Sequence, residues 1–297
     1  MNASRAVARA MRGFAAALLL VAAGAAAAAE LIVVEDECRG RQLLIQGAIE
    51  AGDHDRFVAR MQRLVAGEAL PAVQDPDVLW TVKLDSPGGD PAEAMRIGRF
   101  LRAALATTEV GYRYARRLDG VWDYARGGDL VCLEGSGNLG GCAGALVPAE
   151  CTGACLLIWL GGAERFALEG RLGRHGLAAD DAAVAAYLAD MSAPADLGAA
   201  AAGAAAGDGW LSFAERRALA GKAPQAAAVL ASCPAPLTAD ESYASVAAPS
   251  AALRDALMDR AEAHRACRHR RLAQARAQSL REAVPALGSA LAAGGER

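Results

Sequence analysis

Val82-Lys83-Leu84-Asp85-Ser86-Pro87-Gly88-Gly89-Asp90-Pro91-Ala92-Glu93 joins a short apolar run to a helix start through a Pro-Gly-Gly turn. Asp90 fits the N-cap, Pro91 the first helical position and Glu93 the place of a capping-box acid. Ala94, Gly98, Leu101 and Leu105 then recur at helical spacing. Two glycines therefore sit on a strand-to-helix turn with their N–H groups expected bare, where the helix dipole adds positive potential. Such a turn suits an oxyanion, the species that acyl-transfer chemistry must stabilise. A tight turn with no ligand is the plain alternative. A phosphate loop is a poor match, because Asp90-Pro91 stands where the Walker pattern needs Lys-Ser/Thr, and Gly-x-Gly-x-x-Gly is absent.

Working outward, residues 30–34, 42–49 and 78–84 read as strands. Residues 53–66 read as a helix with Phe57, Met61 and Leu64 on one face, and 91–106 as the helix after the turn. A short strand is expected at 109–114 and a loop-rich stretch at 122–148. The apolar run 155–160 follows a turn-like Cys151-Thr152-Gly153, and 166–172 leads into Gly173-Arg174-His175-Gly176. This alternation predicts an α/β fold with βαβ connections. Further on, 180–188 reads as a helix and 195–207 as alanine/glycine low complexity. Ser212 and Glu215 can form a capping box, and 250–284 reads as a long Arg-rich helix.

The N-terminus reads as a secretory signal: Arg5, Arg9 and Arg12, an apolar run over 13–29, and Ala27-Ala28-Ala29 as the cleavage site before Glu30. The run falls short of the roughly 20 apolar residues a membrane span needs. An uncleaved anchor, lengthened by the alanine tail, is the alternative. The expected division is a signal over 1–29, a domain over 30–225 and a helical, Arg-rich C-terminal segment over 226–297. The product is expected to be periplasmic or secreted, with no membrane attachment after cleavage.

Removing the three leader arginines from 31 basic and 34 acidic residues leaves a net charge of −6, which gives no general pull toward nucleic acid or anionic lipid. Arg265, Arg268, Arg270 and Arg271 follow Asp255, Asp259 and Glu262, the order the helix dipole favours. Without interleaved aromatics or a basic background they read as a solvated helix face, not a nucleic-acid interface.

All seven cysteines follow the leader, and export to an oxidising space favours disulfides. The odd count leaves at least one thiol unpaired within the chain. Cys132 and Cys142 bracket a Gly-rich loop and are expected to pair; Cys233 and Cys267 are expected to tie down the C-terminal segment. A zinc site at Cys151, Cys155 and His175 is the rival reading, but it lacks a fourth ligand. No metal and no cofactor are expected.

The run Cys151-Thr152-Gly153-Ala154-Cys155-Leu156-Leu157-Ile158-Trp159-Leu160-Gly161-Gly162-Ala163-Glu164-Arg165-Phe166, then Leu172-Gly173-Arg174-His175, taken with Leu84-Asp85-Ser86-Pro87-Gly88-Gly89, resembles the Clp-peptidase/crotonase superfamily. More narrowly it looks like the secreted periplasmic branch, which Ile45-Gln46-Gly47-Ala48-Ile49, Gly52-Asp53 and Arg56-Phe57 also fit. The resemblance covers roughly residues 42–223. It implies a spiral of short ββα units with a helical C-terminal tail, and subunits assembled into trimers or rings. It also implies that Gly88 and Gly89 form the oxyanion turn and that His175 is the general base.

The family's nucleophile, commonly Ser in a Cys-x-Ser-x-Cys context, falls on Gly153, which has no side chain to attack with. Thr152, Ser136 and the thiols of Cys151 and Cys155 are the substitutes nearest in type. Asp180, Asp181, Asp190 and Asp208 all remain candidates to orient the histidine. A histidine that is merely hydrogen-bonded is the plain reading of His175. The expectation is an exported Clp-peptidase-like protein without serine-peptidase activity, binding a peptide or protein ligand through the old cleft or acting as a scaffold. One alternative is an active hydrolase using a non-standard nucleophile, or water directed by His175. Another is a crotonase-type acyl-thioester enzyme, which export disfavours because acyl-CoA substrates are cytosolic.

Overall fold

The computed structural model describes residues 28–36, 40–65, 80–116, 122–132, 142–167, 169–177, 181–194, 197, 209–247 and 250–294. The leader, apart from its last two residues, lies outside the described residues. So do Ser136, Asp180, Asp208 and, apart from Leu197, the low-complexity stretch.

A hairpin opens the fold: β1 (Glu30–Asp36) pairs antiparallel with β2 (Gly40–Gln46). Leu43, Leu44 and Ile45 are all buried, the unbroken apolar run of a strand covered on both faces. Helix α1 (Asp53–Val65) buries Phe57, Met61 and Leu64 as its spacing predicts. Strand β3 (Thr81–Asp85) runs parallel to β2 and ends at the Pro-Gly-Gly turn. Helix α2 (Pro91–Ala103) follows, with the Asp90 carboxylate accepting from Ala92 and Glu93 N–H. Glu93 does not complete a capping box. Its carboxylate accepts the His54 N–H at 2.9 Å and binds Arg96 at 2.8 Å, so α2 is joined to the start of α1.

Strand β4 (Thr107–Glu109) continues the parallel ladder, two residues before the strand expected at 109–114. The stretch expected to be loop-rich, 122–148, contains strands: β6 (Trp122–Tyr124), which pairs with β5 (Tyr114–Arg116) just before it, and the hairpin of β7 (Arg126–Cys132) with β8 (Cys142–Leu146). Strand β9 (Glu150–Thr152) enters α3 (Ala154–Gly161), a helix buried on every side. Strand β10 (Glu164–Phe166) pairs parallel with β4, and β11 (Arg171–Gly173) parallel with β9. Helix α4 (Ala182–Asp190) is capped by Asp181, and α5 (Phe213–Leu219) by a complete Ser212/Glu215 capping box. Strand β12 (Gly221–Lys222) closes the main sheet, whose order is β1-β2-β3-β4-β10-β12. The architecture is mixed α/β, with parallel central strands and antiparallel edges.

Helices α2 and α3 pack backbone to backbone at Gly98 and Gly161, where a Cβ on Gly161 would stand 2.3 Å from the Gly98 Cα. Arg102 reaches over from α2 and donates to the carbonyls of Leu160, Gly161 and Gly162, satisfying the C-terminal end of α3. The chain ends in α6 (Pro224–Leu230), α7 (Ala239–Ala247), α8 (Ala251–Ala283) and α9 (Pro285–Gly294). Helices α6, α8 and α9 are docked on the α/β part, and α7 packs on α8. Leu280 and Leu287 belong to its core, and Arg276 donates to the Ala104 carbonyl at 2.7 Å while covering the Trp80 ring. A Cys233–Cys267 disulfide ties α8 to the chain after α6, as the sequence leads one to expect.

Candidate functional site

Strand β9 is held on both sides. Ser86, just past β3, donates its N–H to the Glu150 carbonyl and accepts the Thr152 N–H, while β11 pairs along the other edge. The next residue, Gly153, turns the chain directly into α3 at φ 54°, ψ −123°. That combination lies outside the main allowed regions, so it is strained for a residue with a side chain and costs glycine least. A strand, a strained single-residue turn and a buried helix make the elbow on which α/β hydrolases expose a nucleophile. Here no side chain stands on it; a Cβ would point at the His175 carbonyl oxygen, 3.1 Å away.

The elbow carries its own staple. Cys151 and Cys155 form a disulfide with Cα atoms 5.2 Å apart, across the turn from β9 to the first turn of α3. Both residues are fully buried. The bond removes them as thiol nucleophiles and as zinc ligands. Among the described residues no other group of His, Cys, Asp and Glu is arranged to hold a metal. Cys132 and Cys142 face each other in register across β7 and β8, but their side chains, and hence the expected bond, lie outside what is described.

The Gly-Gly turn packs against this elbow. Gly88 has φ 96°, and a Cβ there would stand 2.7 Å from the Thr152 oxygen and 3.1 Å from the Ala154 nitrogen. Gly89 has φ 139° and sits on the backbone of Ile49, 2.1 Å from the nearest oxygen to a would-be Cβ. The donors are not both bare: Gly88 N–H is bonded to Ser86 Oγ at 3.1 Å. The Gly89 N–H, and the Ala154 N–H that the sequence did not single out, have no acceptor among the described residues. Thr152 donates its hydroxyl to the Pro87 carbonyl at 2.9 Å, so it ties the turn to β9.

His175 comes to the same place from β11. Its ring lies over Gly173 and Gly209, where a side chain on either would collide with it, and meets Trp210 edge to face at 4.9 Å. The Trp210 ring is in turn stacked by the Arg171 guanidinium at 3.8 Å. His175 Nδ1 is buried and has no hydrogen-bond partner among the described residues. Two of the candidate aspartates are engaged elsewhere: Asp181 caps α4, and Asp190 pairs with Arg99 at 3.4 Å.

Beneath the turn, Asp85 is a hub that sequence reasoning missed. It is buried and accepts from Arg113 Nε and Nη2, from Glu150 N–H and from Gln46 Nε2. The Asp85 hydrogen bonds hold the Arg113 guanidinium firmly protonated, its pKa raised above the ordinary value. One side chain thus fixes the end of β3, the start of β9 and the strap before β5 in register. An acid closing an apolar run was its only sequence signal.

The structure therefore brings Gly88, Gly89, Thr152, Gly153 and His175 into one neighbourhood. Among the described residues no helix is long and apolar enough to cross a membrane. Comparison of the chain with protein-family models, curated proteins and solved structures found no match.

Proposed function

We propose that the chain is an exported protein on a Clp-peptidase/crotonase-like framework, a spiral of ββα units, in which the catalytic centre has become a peptide-binding cleft. The observation that carries this reading is Gly153: a strand-to-helix elbow beside the His175 backbone and backed by the Gly-Gly turn, with no side chain of its own to attack a carbonyl. The Gly89 and Ala154 N–H groups would receive the carbonyl oxygen of a bound segment, as oxyanion donors do. With no hydroxyl at 153 and Thr152 committed to Pro87, no acyl-enzyme forms. What remains is binding and, at most, the residual of about 10³–10⁴ over water that donors alone sustain. The two disulfides among the described residues support an oxidising compartment and hence export. Assembly into a homo-oligomer is part of the same proposal.

Fluorophosphonate labelling decides it. The wild type should not label, and its peptide turnover should equal that of His175→Ala. Gly153→Ser should create a labelled residue, and the added His175→Ala change should remove the label. The serine Cβ falls 3.1 Å from the His175 oxygen at a positive φ, so this variant also loses on the order of 1–3 kcal/mol of stability. Labelling of the wild type, or His175-dependent turnover, would establish the active-hydrolase reading instead. A folded Gly153→Ser that stays unlabelled would remove the elbow from consideration as a site.

A further inference from the structure

A cavity of about 280 Å³ lies between β10, the chain after α4, and α5, with Arg165 and Arg174 among its walls. Arg165 is only 7% exposed, and none of its nitrogens finds a hydrogen-bond acceptor among the described residues; Nε and Nη1 are buried outright. Its surroundings offer an aromatic ring, Trp159 at 5.8 Å, and another cation, Arg102, itself taken up by three carbonyls. Burial first, then the charge of Arg102, lower its pKa to about 10, which leaves it protonated at neutral pH. The adjacent acid gives it nothing, since Glu164 is paired with Arg268 at 2.7 Å and Lys222 at 4.0 Å. Glu215 lines the same cavity but is held by Arg174 at 3.2 Å and by the Ser212 N–H. Among the described residues, the cavity therefore carries one uncompensated positive charge.

A buried cation without a counter-charge is costly, and such groups are normally paired or engaged by a ligand. The rest of the lining sets the ligand's character: Pro194, Leu197 and Leu219 are apolar, and Ser192 adds a hydroxyl. The volume falls just under the roughly 300–1,000 Å³ of sites for drug-sized ligands. We infer that this cavity binds a monocarboxylate bearing a short apolar group, its carboxylate on the Arg165 guanidinium and its apolar part against Pro194, Leu197 and Leu219. The guanidinium fork matches a carboxylate, and a single free charge beside Glu215 disfavours a phosphate dianion. A free short-chain acid and the C-terminal residue of a peptide share this chemistry. The inference does not rest on the reading of Gly153.

Calorimetric titration of the full chain with hexanoate, with Ala-Ala-Leu and with Ala-Ala-Leu-amide tests it. At least one acid should saturate a single site, and the amide should bind at least tenfold more weakly than the acid peptide. Hexanoate alone binding points to a free acid; the acid peptide alone binding points to a chain terminus. Arg165→Met should weaken binding of the acid at least tenfold. Ala218→Trp, at an exposed position on the rim, should block the cavity without touching the core and carries the test if Arg165→Met does not fold. Failure of both acids to bind, equal binding of the amide, or binding unchanged in both variants would overturn the inference.

Discussion

Gly88 lies flat against Gly153: a Cβ on the first would stand 3.5 Å from the Cα of the second and closer still to the peptide groups on either side. The Gly-Gly turn and the elbow are thus packed backbone on backbone, with Ile49 behind Gly89. Replacing Gly89 by Ala or Val should cost more than the 1–3 kcal/mol of a strained φ, because the Cβ falls 2.1 Å from a backbone oxygen that cannot step aside. Gly52 supplies the control. Its φ is +90° with nothing within 4 Å of a Cβ, so Gly52→Ala should show the conformational cost alone. Urea denaturation of both variants would compare them, and equal losses would count against the close approach at Gly89.

The disulfides should separate by loop length. In the chain-entropy model the 34-residue separation of Cys233 and Cys267 is worth about 4 kcal/mol, and the four-residue separation of Cys151 and Cys155 about 2 kcal/mol. Cys233→Ala/Cys267→Ala should therefore lower the denaturation midpoint more than Cys151→Ala/Cys155→Ala. Peptide mapping without reductant should recover both bonds. Recovery of free Cys151 and Cys155 from oxidised protein would contradict the staple across the elbow.

Legibility in the sequence followed the range of the interactions. Asp90-Pro91 announced α2, and Ser212 with Glu215 announced α5, because a cap involves residues three apart. Glu93 was misplaced for the complementary reason: the N–H it prefers belongs to His54, 39 residues away. The run 155–160 showed no period, because a helix buried all round has none, so its helical character had to come from the structure. The expectation that Gly153 stands at a nucleophile position came from the resemblance of the motif alone. Its φ, and the fact that Cys151 and Cys155 can meet across it, depend on β9 being pinned by Ser86 and β11. The Asp85 hub and the lone charge of Arg165 involve partners, or missing partners, that no local pattern encodes.

Glu215 should make part of the stability pH-dependent. Its hydrogen bonds with Ser212 come first, and Arg174 adds to them in holding its carboxyl below the usual glutamate range. A carboxyl whose folded-state pKa is depressed stabilises the fold above its unfolded value, about 4.3, and that contribution is lost as pH falls through the folded value. The stability gap between wild type and Glu215→Ala should be widest near neutral pH and narrow in acid. Urea midpoints at pH 7, 4 and 3 would show this. A gap constant over that range would mean that the capping box acts without its charge.

Asp85 offers the sharpest test of how the site is positioned. Asp85→Ala removes the acceptor of Glu150 N–H, Gln46 Nε2 and two Arg113 nitrogens together. Arg113 is 41% exposed and rehydrates, but the groups around Glu150 do so less readily, so the expected loss is on the order of 2–3 kcal/mol. Asp85→Asn keeps an oxygen for Glu150 N–H while losing the charge on Arg113, and should recover about half of that loss. The two variants should also differ at a distance. Asp85→Ala frees the start of β9, and with it the Gly153 elbow, so amide hydrogen exchange at Thr152 and Gly153 should quicken; Asp85→Asn should leave it close to wild type. Unchanged exchange in Asp85→Ala would show that β11 and the Cys151–Cys155 bond alone hold the elbow, and that Asp85 serves stability without positioning the site.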